Sequence, residues 1–337
     1  MADRHDEKSM SGEDFLIDAY FRPLATHPGA LALQDDTAVL APPPGFDLVL
    51  KTDAVIAGVH FFADDPADAI GRKALRVNLS DLAAKGASPG GFLMSLALPG
   101  DTGADWLRAF AGGLGADAAR YQCPLLGGDT DRTQGPLTVS IAAVGWVPHG
   151  TMVRRSGAKP GDRLFVTGTI GDAALGLRLR LDPESAARWG LDGPSCDHLL
   201  ARYLIPQPRT ALAQSLRQYA SAAMDISDGL AGDLAKLCRA SSVCADVLIR
   251  QIPWSEAAEK ALRHDPNLVE TAVTGGDDYE ILCTVPIDQI AAFHAAAAQL
   301  SIDVTQIGEV VAGNAAARFL DAAGRAVTFD RPAFSHF

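Results

Sequence analysis

Aspartates recur in short polar clusters that interrupt apolar segments of this chain. They are QDDTAVL (Asp35, Asp36), LKTDAV (Asp53), NLSDLAA (Asp81), GGDTD (Asp129, Asp131), MDISDG (Asp225, Asp228) and GGDDYE (Asp277, Asp278). None of these clusters holds a Cys or a His. Hard oxygen donors without soft partners suit Mg²⁺, which takes a few carboxylates and fills its shell with water and phosphate oxygens. Adjacent carboxylates such as Asp35 and Asp36 repel each other unless they sit on a solvated turn or share a cation. Several Mg²⁺ ions in an acidic pocket are one way for such a chain to hold a nucleotide polyphosphate.

Each aspartate also has an ordinary reading. Ile70, Ala74 and Val77 form an apolar stripe at helical spacing, and Asp81 falls next on it. A carboxylate there is costly unless a cation or hydrogen bonds compensate it. A pair with Lys85, one turn on, is the plain alternative and contributes roughly 0.3–0.5 kcal/mol. Asp228 would fall in the first turn of the following helix, where any acid is favourable. Asp129 and Asp277 each follow a Gly-Gly step and read equally as turn residues. Asp225 and Ser227 share a face if MDISD is extended. Any one of these is ordinary, but six such clusters in one chain favour the metal.

The length of 337 residues and a 48% hydrophobic content indicate a folded chain of two domains. The net charge of −12 argues against nucleic-acid binding, which needs a basic surface. Five scattered cysteines without a CxxC pair argue against disulfides and zinc and fit a reducing cytosol. The polar start MADRHDEKSMSGED lacks a signal-peptide core, and no apolar run is long enough for a membrane span. GxxxxGK[ST] and HExxH are absent, as are the HRD and DFG sets of protein kinases.

The elements that must position these residues follow from periodicity. Residues 1–11 read as a flexible tail, and helices are expected at 12–21, 67–86, 102–121, from Asp172, over DGLAGDLAKLC and at about 287–300. Strands are expected on both sides of the Pro-Gly turn at 43–45, over GFLMSLALP, PLTVSIAAVGWV, LFVTG, AAMDIS, ADVLI and YEILCTV, and as a pair near the end. Gly and Pro in SGAKPGDRL place a boundary near 150, giving domains 12–149 and 150–337. Mixed strands and helices make the class α/β or α+β. His60, in AGVHFF, is a polar residue inside an apolar run.

In this order, QDDTAVL, KTDAVIAGVHF, KALRVNLSDLAAKGASP, LLGGDTDRT, RRSGAKPGDRLFVTGTIGDAALGL, MDISDGLAGDL, TGGDDYEILCTV and FSHF resemble the thiamine-monophosphate kinase family. That family belongs to the ATP-binding superfamily named after aminoimidazole ribonucleotide synthetase. The resemblance implies an N-terminal α/β domain whose strands complete a barrel across a homodimer, an α+β C-terminal domain, and an active site in the cleft between them. It implies Mg²⁺-dependent, in-line phosphoryl transfer from ATP to thiamine monophosphate, giving thiamine diphosphate, in the cytoplasm. By position, Asp36, Asp53, Asp81, Asp129, Asp225 and Asp228 are implied Mg²⁺ ligands, with Thr52 contributing beside Asp53. Gly128, Arg155 and Ser227 are implied ATP contacts. His60, Asp277 and Phe334 are implied contacts to thiamine monophosphate. Asp53, Asp81, Asp129 and Arg155 are the implied catalytic set, and Arg132 is a further source of positive charge.

The chain departs from the family pattern at Gln34, where Gly is usual, at Lys51, where a small hydroxyl residue is common, and at Lys85, where an apolar residue is common. Lys51 would bring an ammonium to one metal contact. Two alternatives remain: another ATP-using synthetase of the superfamily, and a non-catalytic nucleotide-binding dimer. The first Cys is Cys123 and the last residue is Phe337, which count against the sister enzymes that need a Cys near the N-terminus or at the C-terminus.

Overall fold

The computed structural model describes residues 12–313, 317–330 and 333. The expected tail at 1–11 and the expected substrate contact Phe334 lie outside the described residues. The chain forms two compact units, Met1–Asn78 with Pro89–Trp146, and Leu79–Ser88 with Val147–Phe337. Both mix helices and strands, so the fold is a two-domain α/β arrangement with mixed sheets.

The first unit is built on β1 (Phe46–Ile56), β2 (Ser88–Pro99), β3 (Leu125–Thr133) and β4 (Thr138–Pro148), ordered β1-β4-β2-β3. Residues of a strand alternate between faces. On β2, Phe92, Met94, Leu96 and Leu98 are buried, while Leu93 and Ser95 are exposed. On β1, Val49 and Val55 are buried, while Phe46, Leu48 and Leu50 are exposed. One face of the sheet therefore meets the core and the other presents apolar side chains.

Helix Ala67–Ala84 buries Ile70, Ala74 and Val77, the stripe read from the sequence, and Leu79 besides. It also buries Arg76, whose guanidinium forks onto Asp117 of helix Ala104–Arg120 at 2.5 and 2.9 Å.

The second unit carries a seven-stranded sheet made of β5 (Arg163–Thr167), β6 (Ala222–Asp225), β7 (Cys244–Leu248), β8 (Ile281–Val285), β9 (Val304–Val311), β10 (Arg318–Leu320) and β11 (Ala326–Val327). Its order is β11-β10-β7-β9-β5-β8-β6, antiparallel except where β10 runs parallel to β7. Register pairs Leu164 with Thr284 and Ala223 with Cys283. Alternation divides these strands between two cores. Leu164, Val166, Met224, Leu282 and Ile307 pack on one side. Phe165, Ala223, Ile281, Cys283 and Val285 pack with Phe293 on the other. Strands buried on both faces read as near-continuous apolar runs, as YEILCTV does.

Three local expectations change. The apolar run before the Pro-Gly turn is not a strand, and only β1 forms there; three prolines at 42–44 remove backbone donors from the first run. GGDTD is not a turn but the middle of β3, because Leu93–Pro99 pairs with Gly127–Thr133 residue for residue. The helix after MDISD starts at Leu230 with Gly229 as its N-cap, so Asp228 precedes it.

Candidate active site

In the first unit, the segment after the kinked 3₁₀ turn Pro28–Leu33 brings Asp35 and Asp36 to a cavity of about 720 Å³. Gly128 and Asp129 of β3 line the same cavity. Gly128 is required there, since a Cβ would lie 1.9 Å from the Met94 carbonyl oxygen. Asp36, Gly128 and Asp129 are all exposed, as ligand-facing groups must be.

Thr52, exposed, and Asp53, half-buried, sit on β1. The Asp53 amide donates to Asn78 Oδ1 at 2.9 Å, and Asn78 Nδ2 donates to the Ala74 carbonyl at 3.0 Å. The Asn of NLSD thus ties the helix to β1. Lys51 Nζ lies 3.1 Å from Asp53 Oδ2, so the departure at 51 does bring an ammonium to this carboxylate. His60 follows β1; its Nδ1 accepts from the Ile56 amide at 3.1 Å, which leaves the proton of a neutral ring on Nε2. The nearly buried Lys73 donates to the His60 carbonyl at 2.8 Å and fixes that turn.

In the second unit, MDISD and GGDDYE form one laced pair of loops. The Asp277 amide donates to the Ser227 carbonyl at 2.9 Å, the Tyr279 amide to the Ile226 carbonyl at 2.8 Å, and the Ile226 amide to the Glu280 carbonyl at 2.8 Å. These bonds bring Asp225, Ser227, Asp228 and Asp277 together. Asp277 and Tyr279 hold left-handed backbones, at φ 64° and 50°, uncommon for non-glycine residues and typical of functional loops. Asp225 is buried at the end of β6, while Ser227 and Asp228 are half-buried.

Asp81, half-buried, lies near the end of its helix; the hydroxyl of Ser80 beside it is 3.5 Å from the Tyr279 carbonyl. Lys85 Nζ donates to the Ala223 carbonyl at 2.7 Å. Arg155 is exposed, and its carbonyl accepts from Ser241 Oγ at 2.8 Å.

Several residues beneath these loops, Asp278 apart, escaped the sequence reading. Asp233, fully buried, accepts the amides of Ser227 and Asp228 on one oxygen, each at 2.9 Å. Lys236 bridges Asp233, at 2.8 Å, and Asp228. Burial pushes the Asp233 carboxyl up, against the pull of Lys236. Glu280, also fully buried, accepts from Arg202 at 2.8 Å, from Arg209 at 2.5 and 2.6 Å, and from Thr167 at 2.6 Å. Asp278 accepts the Gly171 amide at 2.9 Å; burial pushes its carboxyl well up, with Arg202 opposing. Asp172 is held by Thr169, His198 and Ser255 at 2.6, 3.0 and 2.5 Å. Its burial raises the carboxyl pKa, but these hydrogen bonds outweigh burial and lower it overall. An Asp five residues beyond Asp228 was the only local sign of Asp233.

Among the described residues, no three His, Cys, Asp or Glu side chains converge as a ready metal site. The donor set still fits Mg²⁺, which is held by one or two carboxylates and completed by water and phosphate oxygens. Asp35, Asp36 and Asp129 line one cavity, beside an apolar wall that includes Ile17, Phe21, Leu33 and Leu126.

The family described as AIR synthase related protein, N-terminal domain, matches residues 34–147, and its C-terminal counterpart matches residues 159–321. The thiamine-monophosphate kinase of Caulobacter vibrioides is 43% identical over 319 residues, covering 94% of this chain and 88% of that protein. The crystal structure of thiamine-monophosphate kinase from Stenotrophomonas maltophilia K279a superposes with a TM-score of 0.81 at 38% identity, covering 94% of this chain and 98% of the other. A structure described as AaThiL complexed with AMPPCP and TMP has a TM-score of 0.76 at 31% identity and covers 98% of this chain and all (100%) of the other. Two matched domains and full-length likeness at these identities establish that the chain belongs to the thiamine-monophosphate kinase family.

Proposed function

We propose that this protein transfers the γ-phosphoryl group of ATP to thiamine monophosphate, giving thiamine diphosphate, by a direct in-line reaction. One observation carries the reading. Asp36, Gly128 and Asp129 meet at one cavity, in a chain whose full-length relative was solved with AMPPCP and TMP.

Asp36, Thr52, Asp53 and Asp129 of the first unit, and Asp81, Asp225 and Asp228 of the second, are the residues that would hold Mg²⁺. Bound Mg²⁺ would neutralise the phosphate chain. The protein's own part is positioning. Gly128, lacking a side chain, lets backbone approach the nucleotide. Arg155 offers a planar fork that suits phosphate oxygens. Ser227 is held by its laced loop as a second ATP contact. His60, with its proton on Nε2, and Asp277 bind the thiamine monophosphate, donating to phosphate and accepting from the aminopyrimidine; Phe334 is a further contact to it. No general base is needed, because the attacking phosphate oxygen is already ionised. In this reading residues 12–149 form the metal- and ATP-binding domain, apart from Leu79–Ser88, which group with the second compact unit, and 150–337 form the second domain.

The open apolar face of the first sheet, with Phe46, Leu48, Leu50 and Leu93 exposed, supports a homodimer in which two such sheets close on each other. All five cysteines are free, and burial pushes Cys123, Cys238 and Cys283 up to about 12. Inert reduced thiols of this kind support a cytoplasmic location.

The test is incubation of the purified protein with ATP, Mg²⁺ and thiamine monophosphate, with chromatography for thiamine diphosphate and free thiamine as control acceptor. Diphosphate formed from the monophosphate alone is the expected result. No product, with Mg²⁺-dependent ATP binding intact, would move the function to another synthetase of the superfamily or to a nucleotide sensor.

A further inference from the structure

The turn Ser227-Asp228 has no regular secondary structure to hold it. β6 ends at Asp225 and the next helix begins at Leu230. Its two consecutive amides point at a single oxygen, Asp233 Oδ2, each at 2.9 Å. The other oxygen of Asp233 meets Lys236 at 2.8 Å, and Lys236 also reaches the Asp228 carboxylate. Asp233 is fully buried, so it cannot itself touch a ligand. A buried carboxylate that gathers two adjacent amides is a template for the local backbone; hydrogen bonds to an ionised acceptor are the strong kind. In the conformation it selects, Ser227 and Asp228 stay half-buried ahead of the helix, and Lys236 of that helix meets the Asp228 carboxylate.

We infer that Asp233 is a positioning residue for the nucleotide and metal contacts of this protein. It acts by fixing the Ser227-Asp228 turn from beneath. The inference rests on the proposed phosphotransfer reading, in which Ser227 contacts ATP and Asp228 a magnesium ion. It predicts a larger effect on one substrate than on the other. The turn touches the nucleotide side, so loosening it weakens Mg-ATP binding. Of the proposed thiamine monophosphate contacts, His60 lies in the first unit, away from this turn, whereas Asp277 is laced to it through the Ser227 carbonyl.

The experiment compares Asp233→Ala and Asp233→Asn with the unsubstituted protein. Steady-state kinetics are measured for Mg-ATP and for thiamine monophosphate separately, and Mn²⁺ with AMPPCP is titrated by calorimetry. Asp233→Ala is expected to raise KM for Mg-ATP by about 10-fold or more, a loss of about 1.4 kcal/mol, while KM for thiamine monophosphate moves by less than about 3-fold. Asp233→Asn keeps one acceptor oxygen for the amides but loses the charge that meets Lys236, and is expected to raise KM for Mg-ATP by a smaller factor, about 3-fold. A merely structural role would lower the active fraction and leave both KM values unchanged, and that result would overturn the inference. If Asp233→Ala does not fold, Asp233→Asn decides: a Mg-ATP KM and a calorimetric affinity both equal to those of the unsubstituted protein would overturn it. Failure of the unsubstituted protein to bind Mn²⁺-AMPPCP at all would sink the underlying reading as well, so the two failures are distinguishable.

Discussion

The amide of Asp277 donates to the carbonyl of Ser227 at 2.9 Å, which fastens the GGDDYE loop onto the MDISD turn. Gly276, at φ +79°, makes the approach possible, because a Cβ there would lie 2.4 Å from the same Ser227 oxygen. Gly276→Ala should therefore cost about 2 kcal/mol of stability through strain and clash and weaken both Mg-ATP and thiamine monophosphate binding. Urea unfolding and steady-state kinetics check this; unchanged kinetics would mean that the two loops act independently.

Asp129 is exposed on β3 and Asp81 is half-buried near a helix end, so neither supports a core. Asp129→Ala and Asp81→Ala should each lower turnover by about 100-fold or more, while the unfolding free energy changes by less than about 1 kcal/mol. Near-normal turnover in either variant would remove that residue from the magnesium set.

The Arg76–Asp117 pair is almost wholly buried in the first unit. Asp117→Ala would strand a guanidinium in the core and should destabilise by about 3–5 kcal/mol. The measurement is a denaturant midpoint; a shift equivalent to less than about 1 kcal/mol would show that water reaches Arg76.

His198 and Asp172 give a pH signature. The hydrogen bond to Asp172 raises the His198 pKa above its ordinary 6.5, against burial and Arg202. A raised basic group contributes stability that is complete below about pH 6.5 and is lost as pH rises through the folded value. Asp172 has a lowered pKa, so its share is present above the ordinary carboxylate value and is lost as pH falls through the folded one. Thermal unfolding of His198→Gln from pH 6 to 9 should show a flatter decline than the unsubstituted protein. Parallel curves would mean that the imidazolium does not sustain the pair.

Leu50 is 72% exposed on β1, in line with Phe46 and Leu48. If two sheets close over this face, Leu50→Asp should convert a dimer to a monomer in sedimentation velocity without unfolding the chain. A monomer in both proteins would show that the face is closed by something else.

Much of this protein is legible along the chain. Periodicity in Ile70-Ala74-Val77 gave the buried side of a helix, because neighbours on a helix face are three and four residues apart. The apolar run YEILCTV gave a buried strand, and the order of the acidic clusters gave the family, since metal and phosphate chemistry restricts residue types locally. Tertiary structure decided the rest. Which residue shapes the Ser227-Asp228 turn depends on which carboxylate is buried beneath it, and Asp233 is distinguished from any surface acid only by zero exposure and two convergent amides. That Asp129 lies in a strand rather than a turn follows from pairing with β2, a register no local pattern encodes. The left-handed backbones of Asp277 and Tyr279 exist because MDISD, distant in sequence, supplies their hydrogen-bond partners. Contacts between remote segments set these features, and a sequence read locally carries only the side chains that such contacts will use.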